Sequence, residues 1–160
     1  MKRTTKKSQN PVIASGSTGN EYKDSKKYLS KAYAAIDQLH EMDLAALKEN
    51  NIDMSVKLVT EDCIMLPPAL GPIHGHEHIR NYLNEKFMQW RPYKVVRYDQ
   101  QFEEVIVADG WAYEWGTCQG AYYMKNGGPD IFENSRIFRI LRSQPDGSWK
   151  IARIMWHDIP

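Results

Sequence analysis

The sequence predicts a single α+β domain in which helices pack against a curved antiparallel sheet. Apolar residues recur at helical spacing up to about residue 90, and four long strand-like segments separated by turn sequences follow. Helices that precede a run of strands are typical of α+β folds. The four segments have roughly 11–16 residues, against a usual mode near 5–6 for strands. Antiparallel strands of that length must twist and curl, so helices over the concave face enclose a cone-shaped interior.

Three helices are predicted in the first part of the chain. The first covers about residues 22–50, because one apolar stripe recurs every three or four residues. The residues of this stripe are Leu29, Ala32, Tyr33, Ile36, Leu39, Leu44 and Leu47. A second, short helix begins at Asp53, a suitable N-cap. A third runs from His76 to Trp90, where Pro92 stops it, and the segment Cys63–Leu66 before it is a short strand.

The rest of the chain is predicted to be a four-stranded antiparallel meander. Its strands cover Tyr93–Ala108, Trp111–Lys125, Ile131–Arg142 and Trp149–His157. The sequence Asp109-Gly110 between the first two is a strong hairpin signal, because both residues tolerate a positive φ.

Composition sets the domain boundaries and excludes some partners. The chain has 160 residues, 42% hydrophobic and 26% charged, as expected for one globular domain. Residues 1–20 are rich in Ser, Thr, Gly and Lys and are predicted to form a disordered basic tail, with the single domain over residues 21–160. The formal net charge is +1, and no basic stripe lies on the predicted domain, so we expect no nucleic-acid partner.

Cysteine usage and hydropathy predict the compartment. Cys63 and Cys118 lie on different predicted strands, and two free thiols fit a reducing environment. No apolar run approaches the ~18 residues of a membrane span, and the Lys-rich N-terminus lacks the apolar segment of a secretory signal. We therefore expect a cytoplasmic protein with no membrane partner. Because phosphate-binding and nucleophile motifs are missing, we expect no cofactor.

Three stretches of the chain carry a family resemblance. They are Val59–Pro68 (VTEDCIMLPP), Gly75–Arg80 (GHEHIR) and Asp146–Arg153 (DGSWKIAR) with Trp156. Together they resemble the SnoaL-like and ketosteroid-isomerase-like families of the nuclear-transport-factor-2-like superfamily over about residues 25–158. The resemblance implies a cone-shaped, cystatin-like α+β fold. It implies little about function, because this superfamily hosts isomerases, cyclases, dehydratases, binding proteins and assembly domains.

The resemblance argues against ketosteroid isomerase activity itself. That chemistry needs a carboxylate base near the mouth of the pocket, and the register of the resemblance puts Leu66 at this position. A leucine side chain cannot accept a proton.

Polar side chains on the long strands are the candidate acid–base groups. We select His157, because histidine titrates near neutrality, and Asp99 on the first long strand. Further carboxylates on these strands are Glu103, Glu114, Glu133 and Asp158.

Arg136 is the predicted anchor for a carboxylate or carbonyl group on a ligand. It shares a strand face with Phe132 and Phe138, and an arginine on an apolar face needs a partner. The alternative is structural: an ion pair with Glu114 or Glu104 across strands, or an aromatic stack.

Aromatic side chains are the predicted walls of the pocket, namely Tyr98, Tyr113, Trp115 and Trp156. Tyr113 and Trp115 alternate with Trp111 on one face of a strand. They are candidates for a ligand wall, for packing against the helices, or for a dimer face.

His74, His76, Glu77 and His78 cluster at the start of the third helix. Their spacing does not match a helical metal motif, and no metal site is assigned to them, although ligation from a loop stays open.

Two functions therefore remain. The first is a pocket protein for a small hydrophobic or carbonyl-bearing ligand, acting as a lyase, cyclase or isomerase. The second is a non-catalytic association module. In either case we expect a homodimer formed through the sheet, because the first long strand is apolar on both faces near its end.

Overall fold

A computed structural model describes residues 6–7 and 19–159, and side chains from residue 25 onward. Of the predicted basic tail, Lys6–Lys7 form a short strand and residues 19 and 20 begin a helix. The remainder of that prediction lies outside the described residues.

The elements follow the predicted order of helices first and long strands afterwards. The helices are α1 (Gly19–Glu49), α2 (Ile52–Lys57) and α3 (Gly75–Trp90). The strands are β1 (Lys6–Lys7), β2 (Val59–Leu66), β3 (Ile73–His74), β4 (Tyr93–Ala108), β5 (Trp111–Met124), β6 (Ile131–Ser143) and β7 (Trp149–Asp158). None of the described helices combines the length and the apolar composition that crossing a membrane requires.

The strands form one mixed sheet in the order β1-β4-β5-β6-β7-β2-β3. The predicted meander β4-β5-β6-β7 is antiparallel throughout, while β2 joins its far edge parallel to β7. Helix α1 packs against the concave face, where Leu29, Ile36 and Leu39 are buried. The predicted α+β architecture of helices on a curved, mostly antiparallel sheet is confirmed.

The start of α2 differs from the prediction by two residues. Asn51 is the N-cap, and its side-chain oxygen accepts a hydrogen bond from the backbone N–H of Met54 at 3.0 Å. Asp53 lies inside the helix and pairs instead with Arg80 of α3, so it links the two helices.

The two faces of the sheet carry side chains of different size. On β5 the concave face has Ala112 and Gly116, whereas Trp111, Tyr113 and Trp115 point outward and are each at least 40% exposed. A Cβ at Gly116 would lie 2.1 Å from the backbone oxygen of Gln101, where the pairing of β4 with β5 is irregular. Small residues therefore stand where the sheet bends toward the helices.

A cluster of four charged or polar side chains joins α1 to the middle of the sheet; we call it the buried charge cluster (His40, Asp43, Glu114 and Arg139). Arg139 has no exposed side-chain surface, donates from Nε to Glu114 at 2.6 Å, and donates from Nη1 to Asp43 at 2.8 Å. His40 Nε2 donates to the second oxygen of Glu114 at 2.7 Å. The Arg139 guanidinium also lies 4.4 Å from the centre of the Phe102 ring. Buried charges of this kind persist only when they are paired.

The pairing decides the protonation state of the two central members. Burial alone would raise the pKa of Glu114, but Arg139 and His40 outweigh it and hold that pKa below its usual value. Burial would lower the pKa of Arg139, but Glu114 and Asp43 outweigh it and raise that pKa. Both groups are therefore charged in the folded protein.

We expect Glu114→Gln to destabilise the protein by about 3–5 kcal/mol, because removing one partner of a buried ion pair leaves the other uncompensated. Urea unfolding measures the change. Asp99→Asn, which breaks an exposed pair with Arg97, is the matched control and should cost at most about 1 kcal/mol.

The difference in the free energy of unfolding between wild type and Glu114→Gln should also depend on pH. A carboxyl whose folded pKa is depressed stabilises the fold above its unfolded pKa and loses that contribution as pH falls through the folded pKa. The advantage of the wild type should therefore be complete above pH 4.5, the ordinary value for this group, and shrink below it. An advantage that stays constant down to acid unfolding would contradict the assignment.

Candidate functional site

A cavity of about 240 Å³ lies between the concave face of the sheet and helices α1 and α3. Most of its wall is apolar, with Leu83, Phe87, Trp90, Ile137, Ile151 and Trp156 among the lining residues. The lining residues Leu47, Trp90 and Tyr93 are partly exposed, so we infer that the cavity opens to solvent near the C-terminal parts of α1 and α3 and the start of β4. Its size and apolar lining suit a small organic molecule.

Two polar rows cross the sheet inside the cavity. Tyr98, Gly120 and Glu133 are register neighbours on β4, β5 and β6. Register neighbours on paired strands lie about 4.7–4.9 Å apart in the direction of the hydrogen bonds, so these residues form a continuous row near the open end.

The second row lies two residues away from the first on each strand and consists of Gln100, Cys118 and Ser135. All three residues line the cavity. The apolar interior therefore offers polar atoms at two depths.

Glu133 and Tyr122 form a hydrogen-bonded pair in the cavity. The Tyr122 hydroxyl donates a hydrogen bond to Glu133 Oε2 at 2.9 Å. Gly120 makes this possible, since a Cβ there would lie 2.5 Å from the Tyr122 ring. Trp90 covers the ring, with 4.3 Å between centroids. Burial, then the Glu133 charge, raises the pKa of Tyr122 far above its ordinary value, so the phenol stays a hydrogen-bond donor.

Burial also keeps two further tyrosines and one thiol of the wall neutral. It raises the pKa of Tyr98 well above its ordinary value, that of Tyr82 to about 12, and that of the Cys118 thiol to about 11. The tyrosines are therefore hydrogen-bond donors at neutral pH, and Cys118 is a poor nucleophile.

The inner end of the cavity adjoins the buried charge cluster. Gln100 Nε2 donates to Asp43 at 3.1 Å, which leaves Gln100 Oε1 buried and without a partner among the described residues. The Asp43 carboxylate fixes this orientation, because a flipped amide would place two acceptors against each other.

Lys86 of α3 is the single Lys or Arg among the described residues that line the cavity. Its ammonium lies 5.8 Å from the centre of the Tyr82 ring, and Lys86 is half-buried.

No protein-family model and no curated protein matches the chain, whereas solved structures do. A ketosteroid isomerase-like protein from Erwinia carotovora atroseptica has a TM-score of 0.68 and 20% identity, over 79% of this chain and 95% of that one. A candidate scytalone dehydratase from Novosphingobium aromaticivorans has a TM-score of 0.69 and 16% identity, over 84% and 88%. A protein from Catenulispora acidiphila, solved with S-DNPA, has a TM-score of 0.65 and 18% identity, over 81% and 94%.

The chain has the nuclear-transport-factor-2-like fold. The resemblance of three sequence stretches predicted it, and the structural neighbours confirm it at identities too low to carry more than the fold. A fold does not decide a function, so the residues of this cavity must carry the functional argument.

Of the residues selected from the sequence, Tyr98 and Trp156 line the cavity. Arg136, Tyr113 and Trp115 do not, and this placement corrects their assignment: all three are exposed on the outer face of the sheet. Successive strand residues point to opposite faces, so a one-residue error of phase moves a whole set across the sheet.

Asp99 and His157, the selected acid–base residues, are also exposed and absent from the cavity wall. Asp99 pairs with Arg97, and His157 is the register neighbour of Arg136 on the outer face. Of the further strand carboxylates, Glu133 lines the cavity, whereas Glu114 lies in the buried charge cluster.

The histidine cluster at the start of α3 is engaged with the backbone. His76 Nε2 donates to the Val59 carbonyl at 3.0 Å, and His78 Nδ1 donates to the His74 carbonyl at 3.1 Å. Among the described residues, no group of three or more His, Cys, Asp or Glu side chains could hold a metal ion.

Sequence reasoning missed Tyr122, Gln100, Asp43 and Lys86 as cavity residues. A usable signal existed for β5: the small residues Ala112, Gly116 and Gly120 alternate with Trp111, Tyr113 and Trp115. The small residues mark the concave face of β5. Tyr122 lies two residues after Gly120 and therefore on the same face.

The raised pKa of Cys118 can be tested by its reaction rate. In a Cys63→Ser variant, iodoacetamide at pH 8 should alkylate Cys118 about a hundredfold more slowly in the folded protein than in urea, because burial raises its pKa from 9.0 to about 11. The rate should rise about tenfold per pH unit. Equal rates in folded and unfolded chains would show that the thiol is not buried in the cavity wall.

Proposed function

We propose that the protein binds a small, largely apolar carbonyl compound in the cavity and acts on it by acid–base chemistry, as a lyase, cyclase or isomerase. The observation that carries the proposal is the Glu133 carboxylate on an apolar cavity wall, held at 2.9 Å by the Tyr122 hydroxyl. A carboxylate in such a site has both a fixed orientation and access to a buried ligand.

Glu133 and Tyr98, in the first polar row, suit proton transfer beside a carbonyl. Glu133 accepts a proton from the carbon next to the carbonyl, and the electron pair moves onto the carbonyl oxygen. The Tyr98 hydroxyl, in the same row but separated from Glu133 by strand β5, donates a hydrogen bond to that oxygen as its charge develops. Return of the proton to another carbon gives an isomerase, and departure of a leaving group from the neighbouring carbon gives a lyase.

The structural neighbours support a small-molecule ligand without naming it. One is called ketosteroid isomerase-like, and another was solved in complex with S-DNPA. Ketosteroid isomerase activity is not proposed for this chain, because Leu66 at the expected base position is exposed and Met65 lines the cavity instead.

A screen for ligands and two variants test this proposal. Compounds that raise the melting temperature are taken from a library of small aromatic ketones and enones and assayed for turnover. Glu133→Gln should lower kcat by about 10²–10⁴-fold, the usual contribution of a general base, and leave Kd within a few fold. Tyr122→Phe should lower kcat less, because the carboxylate remains.

The control is Glu85→Gln, which makes the same chemical change on an exposed residue of α3 and should leave kcat unchanged. Undiminished turnover in Glu133→Gln would remove Glu133 from the mechanism. The lack of any stabilising compound in the library would count against the ligand itself.

We also propose that the outer face of the sheet forms a homodimer. Trp115 and Met155 are exposed there at 41% and 46%, and each is the register neighbour of Phe138. Tyr113 stacks on Phe138 at 6.2 Å. An apolar patch of this kind on a sheet face is typical of an interface between protein chains, and a twofold dimer pairs the same face with itself. This surface also supports the alternative function, a non-catalytic association module.

Phe138→Asp should convert the dimer to a monomer at micromolar concentration, because it places a charge in the centre of the apolar patch. Light scattering coupled to size exclusion measures the mass. Leu70→Asp, on an exposed loop leucine, is the control and should not change it. A monomeric wild type would refute the dimer and leave the cavity function untouched.

We further propose a cytoplasmic location. The two cysteines are unpaired and buried, which suits a reducing compartment.

A further inference from the structure

The charged side chains that line the cavity have different kinds of partner. Asp43 is neutralised by Arg139 at 2.8 Å. Glu133 is held by a neutral phenol. Lys86, in contrast, makes no ion pair with a described residue, and its one polar contact there is the face of the Tyr82 ring.

Lys86 is placed to meet a ligand. It lies one helical turn after Tyr82, so both side chains project from the same face of α3. Tyr82 and Lys86 both line the cavity, and the Tyr82 ring continues to Trp156 with 6.4 Å between centroids. Because Lys86 is half-buried on the last two turns of α3, we infer that its aliphatic part extends the apolar wall and that its ammonium reaches solvent at the opening, as long cationic side chains usually do.

A ligand carboxylate bound at the opening would have a small desolvation penalty. Lys86 is half-buried, so an anionic group beside it keeps part of its hydration while it gains a charge-assisted hydrogen bond. The apolar body of the same molecule would then fill the interior, with its far side toward the row of Gln100, Cys118 and Ser135.

We infer that the ligand is an amphipathic organic anion whose carboxylate pairs with Lys86 at the mouth of the cavity and whose apolar body lies inside. This inference rests on the proposed function and deepens it, since it names the class of molecule and its direction in the cavity. Lys86 here is a binding residue that determines specificity and takes no part in proton transfer.

A matched pair of probes tests the inference: 2-naphthaleneacetic acid and its neutral amide, which have nearly the same size and shape. Isothermal titration calorimetry at low salt gives Kd for both. The wild type should prefer the acid by about tenfold, the order expected for one charge-assisted hydrogen bond. The preference should decrease as salt is added, because the pair is partly exposed.

Variants of Lys86 assign the preference to one side chain. Lys86→Met should abolish it by weakening the acid alone, with the Kd of the amide unchanged, whereas Lys86→Arg should retain it. Lys94→Met is the matched control, because Lys94 also lies over a tyrosine ring, that of Tyr123, at 5.9 Å but lines no part of the cavity; it should behave as wild type.

The outcomes separate this inference from the proposed function. Equal affinity of the wild type for acid and amide, or an acid preference that survives in Lys86→Met, overturns the role of Lys86 and leaves a cavity that binds small apolar molecules. Failure of both probes to bind at millimolar concentration counts against the inference and the ligand cavity together.

Discussion

The position of α1 over the sheet depends on the buried arginine at its centre. Arg139 has no exposed surface, and its charge is satisfied by Glu114 on the neighbouring strand and Asp43 on α1. An arginine in this environment without both carboxylates would be far more costly than an apolar residue. The helix is therefore held close to the sheet at Asp43, and beyond that point α1 and α3 leave the cavity open. Gln100 is hydrogen-bonded to the same carboxylate, so the position of Asp43 also fixes the Gln100 side chain in the cavity wall.

The curvature of the sheet separates two kinds of surface. On the concave side Gly116 is needed where the pairing of β4 with β5 is irregular, because a Cβ there would meet the β4 backbone, and volume remains for a ligand between the sheet and the helices. On the convex side the large side chains Tyr113, Trp115 and Phe138 are exposed. A catalytic role for the inner face and an association role for the outer face are consequently compatible in one chain.

The sequence predicted the elements well because their signals are local. Helical periodicity, Pro92 and the Asp109-Gly110 turn act within a few residues, and the long strands begin and end within one or two residues of the expected positions. The choice of face on β6 is not local. Both of its faces carry apolar residues, and the aromatic Phe138 suggested an interior that Ile137 and Arg139 in fact occupy. An arginine points inward only because Asp43, 96 residues away in the chain, is there to pair with it.

The polar groups in the cavity wall favour a cavity that binds a molecule over an unfilled gap in the packing. An unfilled interior could be packed with apolar side chains at a gain in stability, and each buried polar atom without a partner costs about 1–3 kcal/mol. Here Gln100 Oε1 has no partner among the described residues, and the Glu133 carboxylate, bonded to Tyr122, faces a largely apolar cavity. Packing alone gives no reason for either group, whereas a molecule that presents a hydrogen-bond donor to Gln100 and a mobile proton to Glu133 accounts for both.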